Sequence, residues 1–267
     1  MDFLSGFDPK DSTSANTPKE NYSFGLKAKL NGKKIGIPKQ YFNGDLNHEI
    51  ANALENAIKI FSRLGCSVAE IELPNAELGI AAYYIIAPAE CSSNLARFDG
   101  VKYGYRTEQY EDIESLYKNT RSEGFGAEVK RRILIGTYAL SSGYYDKYYE
   151  QAQRVRSLIK SDFDEAFKEI DIILGPTTPT TALSLDNSNR EDPTELYSGD
   201  LFTIPVNLSG LPAISIPSGF SKDGLPIGMQ LIGNAFCETE LLNVAHQFQL
   251  HSDWHLKTPK LNESFDD

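Results

Sequence analysis

Residues 33–74 place two short apolar runs on either side of one amphipathic stretch, and that order restricts the fold more than any other part of the chain. "KKIGIP" at 33–38 reads as a strand. Gly44, Asp45 and Asn47 then offer helix N-cap candidates. Ile50, Leu54, Ile58 and Phe61 follow at steps of four, four and three, which puts them on one helical stripe. Gly65 suits the stop, and "CSVAEIELP" at 66–74 reads as the next strand. A strand, a helix and a strand in that order call for parallel strands with a covering helix. The expected class is α/β, a mixed β-sheet covered by helices.

The rest of the chain extends this plan. The first thirty residues are polar and proline-interrupted, an irregular lead-in. Residues 76–98 read as a helix that Pro88 should kink or interrupt, and 99–125 as loops around one short helix. In the long helical region that follows, Ala152, Val155, Ile159, Phe163, Ala166 and Ile170 keep one stripe apolar. That helix feeds "DIILGPTTPTTA" at 171–182, where a buried-looking strand breaks into a threonine-rich, proline-stiffened turn. "PAISIPSGF" (212–220) and "DGLPIGMQLIG" (223–233) are two more strands, before a last helix near 238–251 and a loose tail over 255–267. A length of 267 residues accommodates one large domain or two small ones, and no composition shift divides the chain.

Several function classes are disfavoured. A net charge of −11 is the wrong sign for broad contact with nucleic-acid phosphates. Three widely spaced cysteines, Cys66, Cys91 and Cys237, suit reduced thiols and a cytoplasmic location. No apolar run reaches the ~20 residues that cross a bilayer, so no membrane role is expected. His246, His251 and His255 lack a zinc pattern with a general base, so no metal is assigned. No GxGxxG, GxxxxGK[ST] or GxSxG motif occurs, and no serine is marked as activated.

Charged residues in apolar company remain. Asp200 in "YSGDLFTIPVNLSG" is followed by eight uncharged residues; it is either the N-cap of a helix over 201–208 or a carboxylate awaiting a cationic ligand group. Arg131 and Arg132 precede "ILIGTYAL" and point roughly 100° apart if helical. Either both are solvated, or one faces inward, where its planar fork suits a carboxylate. The tyrosines Tyr83, Tyr84, Tyr144, Tyr145, Tyr148 and Tyr149 suit core or interface packing. An acid and a base together would hold an amino acid, but no nucleophile accompanies them.

"RFDGVKYGYR" (97–106), "SEGFGAEVKRRILIGTYALSSGYYDKYY" (122–149), "DIILGPTTPTTA" and "GDLFTIPVNLSGLPAISIPSGF" (199–220) resemble the second half of the amidase-signature family, in its glutamyl-tRNA(Gln) amidotransferase A-subunit branch. The resemblance runs from about residue 4 to about 250. It implies a partial amidase domain over 1–267 whose lysine base, cis-peptide serine and nucleophilic serine lie upstream of the matched segment. No catalytic residue is therefore expected in this chain, which should be inactive alone as a fragment, a split product or a truncated one. Residue by residue, the resemblance makes Asp200 the acid for the glutamine α-amino group and Arg132 the base for its α-carboxylate. Tyr83 becomes a substrate contact, with Tyr84 as the register alternative, and Gly175, Pro176, Thr177 and Thr178 a wall of the cleft.

The implied role is the substrate-recognition half of a glutaminase. Its partners would be subunits B and C of a heterotrimer, with Glu-tRNA(Gln) held mainly by a partner. No cofactor is expected on this chain; ATP and Mg²⁺ would act in the partner protein. A chain that only docks, or a different amidase-signature hydrolase, are the competing expectations.

Overall fold

The computed structural model describes residues 1–42, 46–184 and 198–259. The N-cap candidates Gly44 and Asp45, and residues 260–267 of the expected tail, lie outside them. Five strands form one mixed sheet: β1 (Lys34–Pro38), β2 (Ser67–Ile71), β3 (Ile172–Pro176), β4 (Ala213–Phe220) and β5 (Pro226–Gly233). Their order is β2-β1-β3-β5-β4. β1 runs parallel to both β2 and β3, while β5 is antiparallel to β3 and to β4. The α/β class expected from the sequence is the class observed.

Eight α-helices occur among the described residues: α1 (Tyr22–Gly25), α2 (His48–Arg63), α3 (Gly79–Asn94), α4 (Ile113–Gly124), α5 (Ala127–Ala139), α6 (Tyr149–Ala166), α7 (Ile204–Ser209) and α8 (Glu238–Gln249). Asn47 is the N-cap of α2, its side chain accepting the Glu49 amide at 2.8 Å. Beyond the C-terminus of α2, Gly65 sits at φ +87°, where a side chain is strained. α3 runs unbroken through Pro88, where an interruption was expected. α5 packs closely at this point: a Cβ on Gly136 would come within 1.9 Å of the Pro88 carbonyl oxygen, so the two backbones are nearly in contact there.

The chain divides into two compact units, residues 1–76 with 160–267, and residues 77–159. The first contains the whole sheet. The second contains α3, α4, α5 and most of α6.

Register assigns the two faces of the sheet. Ile35 pairs with Ile172, Leu174 with Leu231 and Ile216 with Met229, so these side chains share one face. α2 and α8 cover that face: Phe61 and Phe248 are fully buried, with ring centroids 5.5 Å apart. The other face carries the buried pair Ile173 and Ile232, and beyond it the small or polar residues Gly36, Gly175, Gln230, Ser215 and Gly228. Lys33 closes one end of the sheet, reaching Asp171 at 3.2 Å and Glu240 at 2.7 Å.

Candidate functional site

On the face that carries Gly175 and Gln230, the "GPT" strand delivers its turn beside β5 and β4. All of β3 is buried, as a strand with neighbours on both edges should be. Gly175 has no side chain because the Tyr41 ring takes the space; a Cβ there would lie 2.6 Å from Tyr41 Cδ2. Thr177 Oγ1 and Ser215 Oγ are 2.8 Å apart, and the Thr177 amide donates to the Gly228 carbonyl at 3.3 Å. Thr178 Oγ1 donates to the Thr180 carbonyl at 2.7 Å, which tightens the turn. Gly175 and Pro176 are therefore buried supports, and Thr177 and Thr178 are the members of this group that reach solvent.

Asp200 closes a short 3₁₀ turn, Ser198–Asp200, and is exposed. The cap alternative does not hold. α7 starts at Ile204, its N-cap is Thr203, and no side chain supplies a capping bond. Asp200 instead contributes its backbone carbonyl, which accepts from the Thr203 amide at 3.2 Å and the Thr203 hydroxyl at 3.3 Å. Two residues on, Phe202 is buried against Tyr41 in an edge-to-face contact with centroids 5.0 Å apart. The Phe202 carbonyl accepts from the buried Gln230 Nε2 at 3.0 Å. Tyr41 thus touches both Gly175 and Phe202, and so brings the threonine turn and the Asp200 loop onto one support.

Neither Tyr41 nor Gln230 was singled out in the sequence. Both read as ordinary strand or turn residues until the register puts them together. Tyr41 is 2% exposed, its hydroxyl has no hydrogen-bond partner among the described residues, and burial pushes its phenol well above the ordinary range.

In the second unit, Arg132 projects from α5 toward α3. Its Nε donates to Glu128 Oε1 at 2.9 Å, one turn back on the same helix, and its Nη1 reaches the Tyr83 hydroxyl at 3.5 Å. Glu128 and then Tyr83 favour the charged guanidinium and raise its pKa. In return, hydrogen bonds from Arg132 and then Arg131 hold the Glu128 carboxyl below its ordinary range. Both arginines converge on Glu128, so Arg131 is not simply solvated, although it is the more exposed of the two. Tyr83 stands edge-on to Tyr84, with centroids 5.0 Å apart. The Tyr83 hydroxyl is within hydrogen-bond reach of the arginine. Glu128 is a further residue that the sequence did not mark; its place four residues before Arg132 is the signal that could have found it.

His251 and His255 are exposed, and His246 is half-buried. His251 Nδ1 lies 2.9 Å from the Gln247 carbonyl, and no group of three His, Cys, Asp or Glu side chains converges among the described residues. No helix of the described residues is long and apolar enough to cross a membrane.

Comparison with known proteins shows the family and the fold. The Amidase family model matches residues 1–242. The A subunit of glutamyl-tRNA(Gln) amidotransferase from Hahella chejuensis is 56% identical over 263 residues, covering 98% of this chain and 54% of that protein. Its counterpart of the same name from Pseudomonas fluorescens is 55% identical over 256 residues, covering 96% of this chain and 53% of that protein. The crystal structure of the same protein from Thermotoga maritima superposes with a TM-score of 0.70 at 36% identity, covering 92% of this chain and 48% of that one. A bacterial aryl acylamidase of the amidase signature family shares the fold at 22% identity, with a TM-score of 0.72. The chain spans about half the length of the curated relatives it matches.

Proposed function

The chain belongs to the amidase family, and we propose that it is the substrate-recognition half of a glutaminase that releases ammonia from glutamine to convert Glu-tRNA(Gln) to Gln-tRNA(Gln). The observation that carries this reading is Arg132, a guanidinium oriented from two sides by Glu128 and Tyr83 yet still one-third exposed. An arginine held in that way presents its remaining N–H groups as a fork for a carboxylate. The family resemblance assigns Asp200, an exposed carboxylate on an anchored loop, to an α-ammonium group. The threonine turn over Gly175–Thr178 forms a cleft wall in this reading.

The attacking serine would come from polypeptide outside this chain. Leu134 is 70% exposed and Tyr138 51%, an apolar surface that suits contact with such a complement. Attack on the glutamine amide would form an acyl-serine and free ammonia, and water would then release glutamate. The ammonia would pass to partner subunits B and C, where ATP and Mg²⁺ activate the tRNA-bound glutamate. This chain would hold no cofactor.

The test supplies the chain with the first half of a full-length relative and measures ammonia release from glutamine. Activity is expected only from the mixture. Arg132→Ala and Asp200→Asn should each weaken glutamine use by a few kcal/mol, the size of a lost hydrogen bond to a charged group. Activity of the chain alone overturns the reading. Equal activity of both variants on glutamine would point instead to an amidase for simple amides, and binding of the complement without activity to a docking role only.

A further inference from the structure

β2 is the last strand of the sheet on its side, and among the described residues nothing pairs with its outer edge. The Ser67 amide donates inward to the Lys33 carbonyl at 2.8 Å. Backbone groups alternate sides along a strand, so Val68 and Glu70 send their amides and carbonyls outward. The strand is short but hardly covered: Ser67, Val68, Ala69 and Glu70 are all exposed.

A groove of about 680 Å³ runs between this edge and the end of α6. Its sides carry Glu70 from the strand and Glu72 just after it, both bridged by Lys39, and Asp162, Glu165 and Glu169 from the helix and the turn after it, with Glu165 bridged by Lys168; Lys34 also lines it. Asp162, Glu165 and Glu169 recur at steps of three and four, so they form a row along one side of the helix. The row is built rather than incidental, because the Asp162 carboxylate is fixed by the Asn75 amide at 2.7 Å and Asn75 Nδ2 at 2.9 Å. Ala69, Ile71 and Ile170 add apolar lining between the charged sides.

We propose that this groove docks an extended, lysine- and arginine-rich segment of a partner protein, which pairs with β2 as a sixth strand and sets its cations against the carboxylate row. Main-chain pairing supplies the register, and the alternate side chains of the added strand meet acid on one side. Charge complementarity selects the occupant. Lys39 bridges Glu70 and Glu72, and Lys168 bridges Glu165, but the five carboxylates still outnumber the three nearby lysines. A chain of net charge −11 thus keeps an acid excess at the groove, which disfavours a second copy and favours a basic segment able to displace those exposed pairs. The competing account is that charge at the edge only prevents strand addition.

The probe is a short capped peptide alternating lysine with valine, titrated onto the full chain by fluorescence anisotropy. Saturable binding that weakens with salt is expected, together with no binding of the matching glutamate–valine peptide. Reversing two exposed acids, Glu165→Lys with Glu169→Lys, should weaken binding by about tenfold or more. Val68→Pro removes an outward amide that the sheet does not use, as edge positions tolerate. It should abolish binding while thermal melting shows the chain still folded. Undiminished binding by the Val68→Pro chain means charge attraction without strand addition and overturns the proposal. Failure of the lysine peptide to bind at low salt overturns it as well. So does a dimer in sedimentation that Val68→Pro dissolves, which would make a second copy the occupant.

Discussion

Arg132 and Asp200 carry opposite charges and are held in opposite ways. Arg132 is oriented through its side chain, by Glu128 behind it and Tyr83 beside it. Asp200 is oriented through its backbone: its carbonyl closes the turn into α7, and Phe202 pins the loop in the core against Tyr41. The first arrangement fixes a charge by other polar groups, and a polar change should perturb it. The second fixes a charge by apolar packing two residues away, and there a cavity should do the damage. Polar partners exposed to water are weak, whereas buried rings are strong, so the two settings should differ severalfold in cost when broken.

Phe202→Ala is the sharpest way to break the comparison. Truncating this buried ring should cost about 3–5 kcal/mol in urea unfolding. Glutamine affinity in the reconstituted mixture should fall under conditions where the fold persists. Unchanged affinity would mean that the Asp200 loop does not need its anchor. Gly136→Ala comes next, because its methyl would enter the space of the Pro88 carbonyl and force two helix backbones apart. A loss of about 3 kcal/mol is expected, visible as faster hydrogen exchange across α3 and α5. An exchange pattern like that of the parent would refute the close packing of the two helices at Pro88.

Tyr41→Phe should go the other way. Removing a buried hydroxyl that has no partner among the described residues should stabilise the chain by roughly 1 kcal/mol. Destabilisation on the same scale would reveal a bond that this hydroxyl makes. The smallest effect belongs to the arginine side. Arg132 and Arg131 keep the Glu128 carboxyl below its ordinary value of 4.5. The pair therefore stabilises the folded chain fully above about pH 4.5, and the contribution disappears as pH falls through the lowered value. Both groups are partly exposed, so less than about 1 kcal/mol is at stake. Glu128→Gln should flatten stability against pH in that range, and an unaltered profile would show that the pair contributes nothing measurable.

Much of the fold could be read from residue order. The β1–α2–β2 unit, the strands at 172–176, 213–220 and 226–233 and the apolar stripe of α6 all follow periodicities that burial imposes locally. The close approach of α5 to α3 at Pro88 could not be read, because it depends on a glycine 48 positions later in the chain. The two compact units were equally hidden, since neither boundary near residues 76 and 160 coincides with a change in composition. In the candidate site, Arg132, Tyr83 and Asp200 were named from charge in apolar company and from the family resemblance. Tyr41, Gln230 and Phe202 were not, because a buried support has no signature of its own until register places it.

By itself the sequence determined the α/β class, the order of the elements and the family, because these rest on short-range periodicity and on blocks of matching residues. Only the tertiary structure decided that Asp200 caps no helix, that the Tyr83 hydroxyl lies within hydrogen-bond reach of Arg132, and that one edge of the sheet lies open beside a row of acids. Those outcomes depend on groups distant in the chain competing for the same space and the same hydrogen bonds, and a linear pattern does not record that competition.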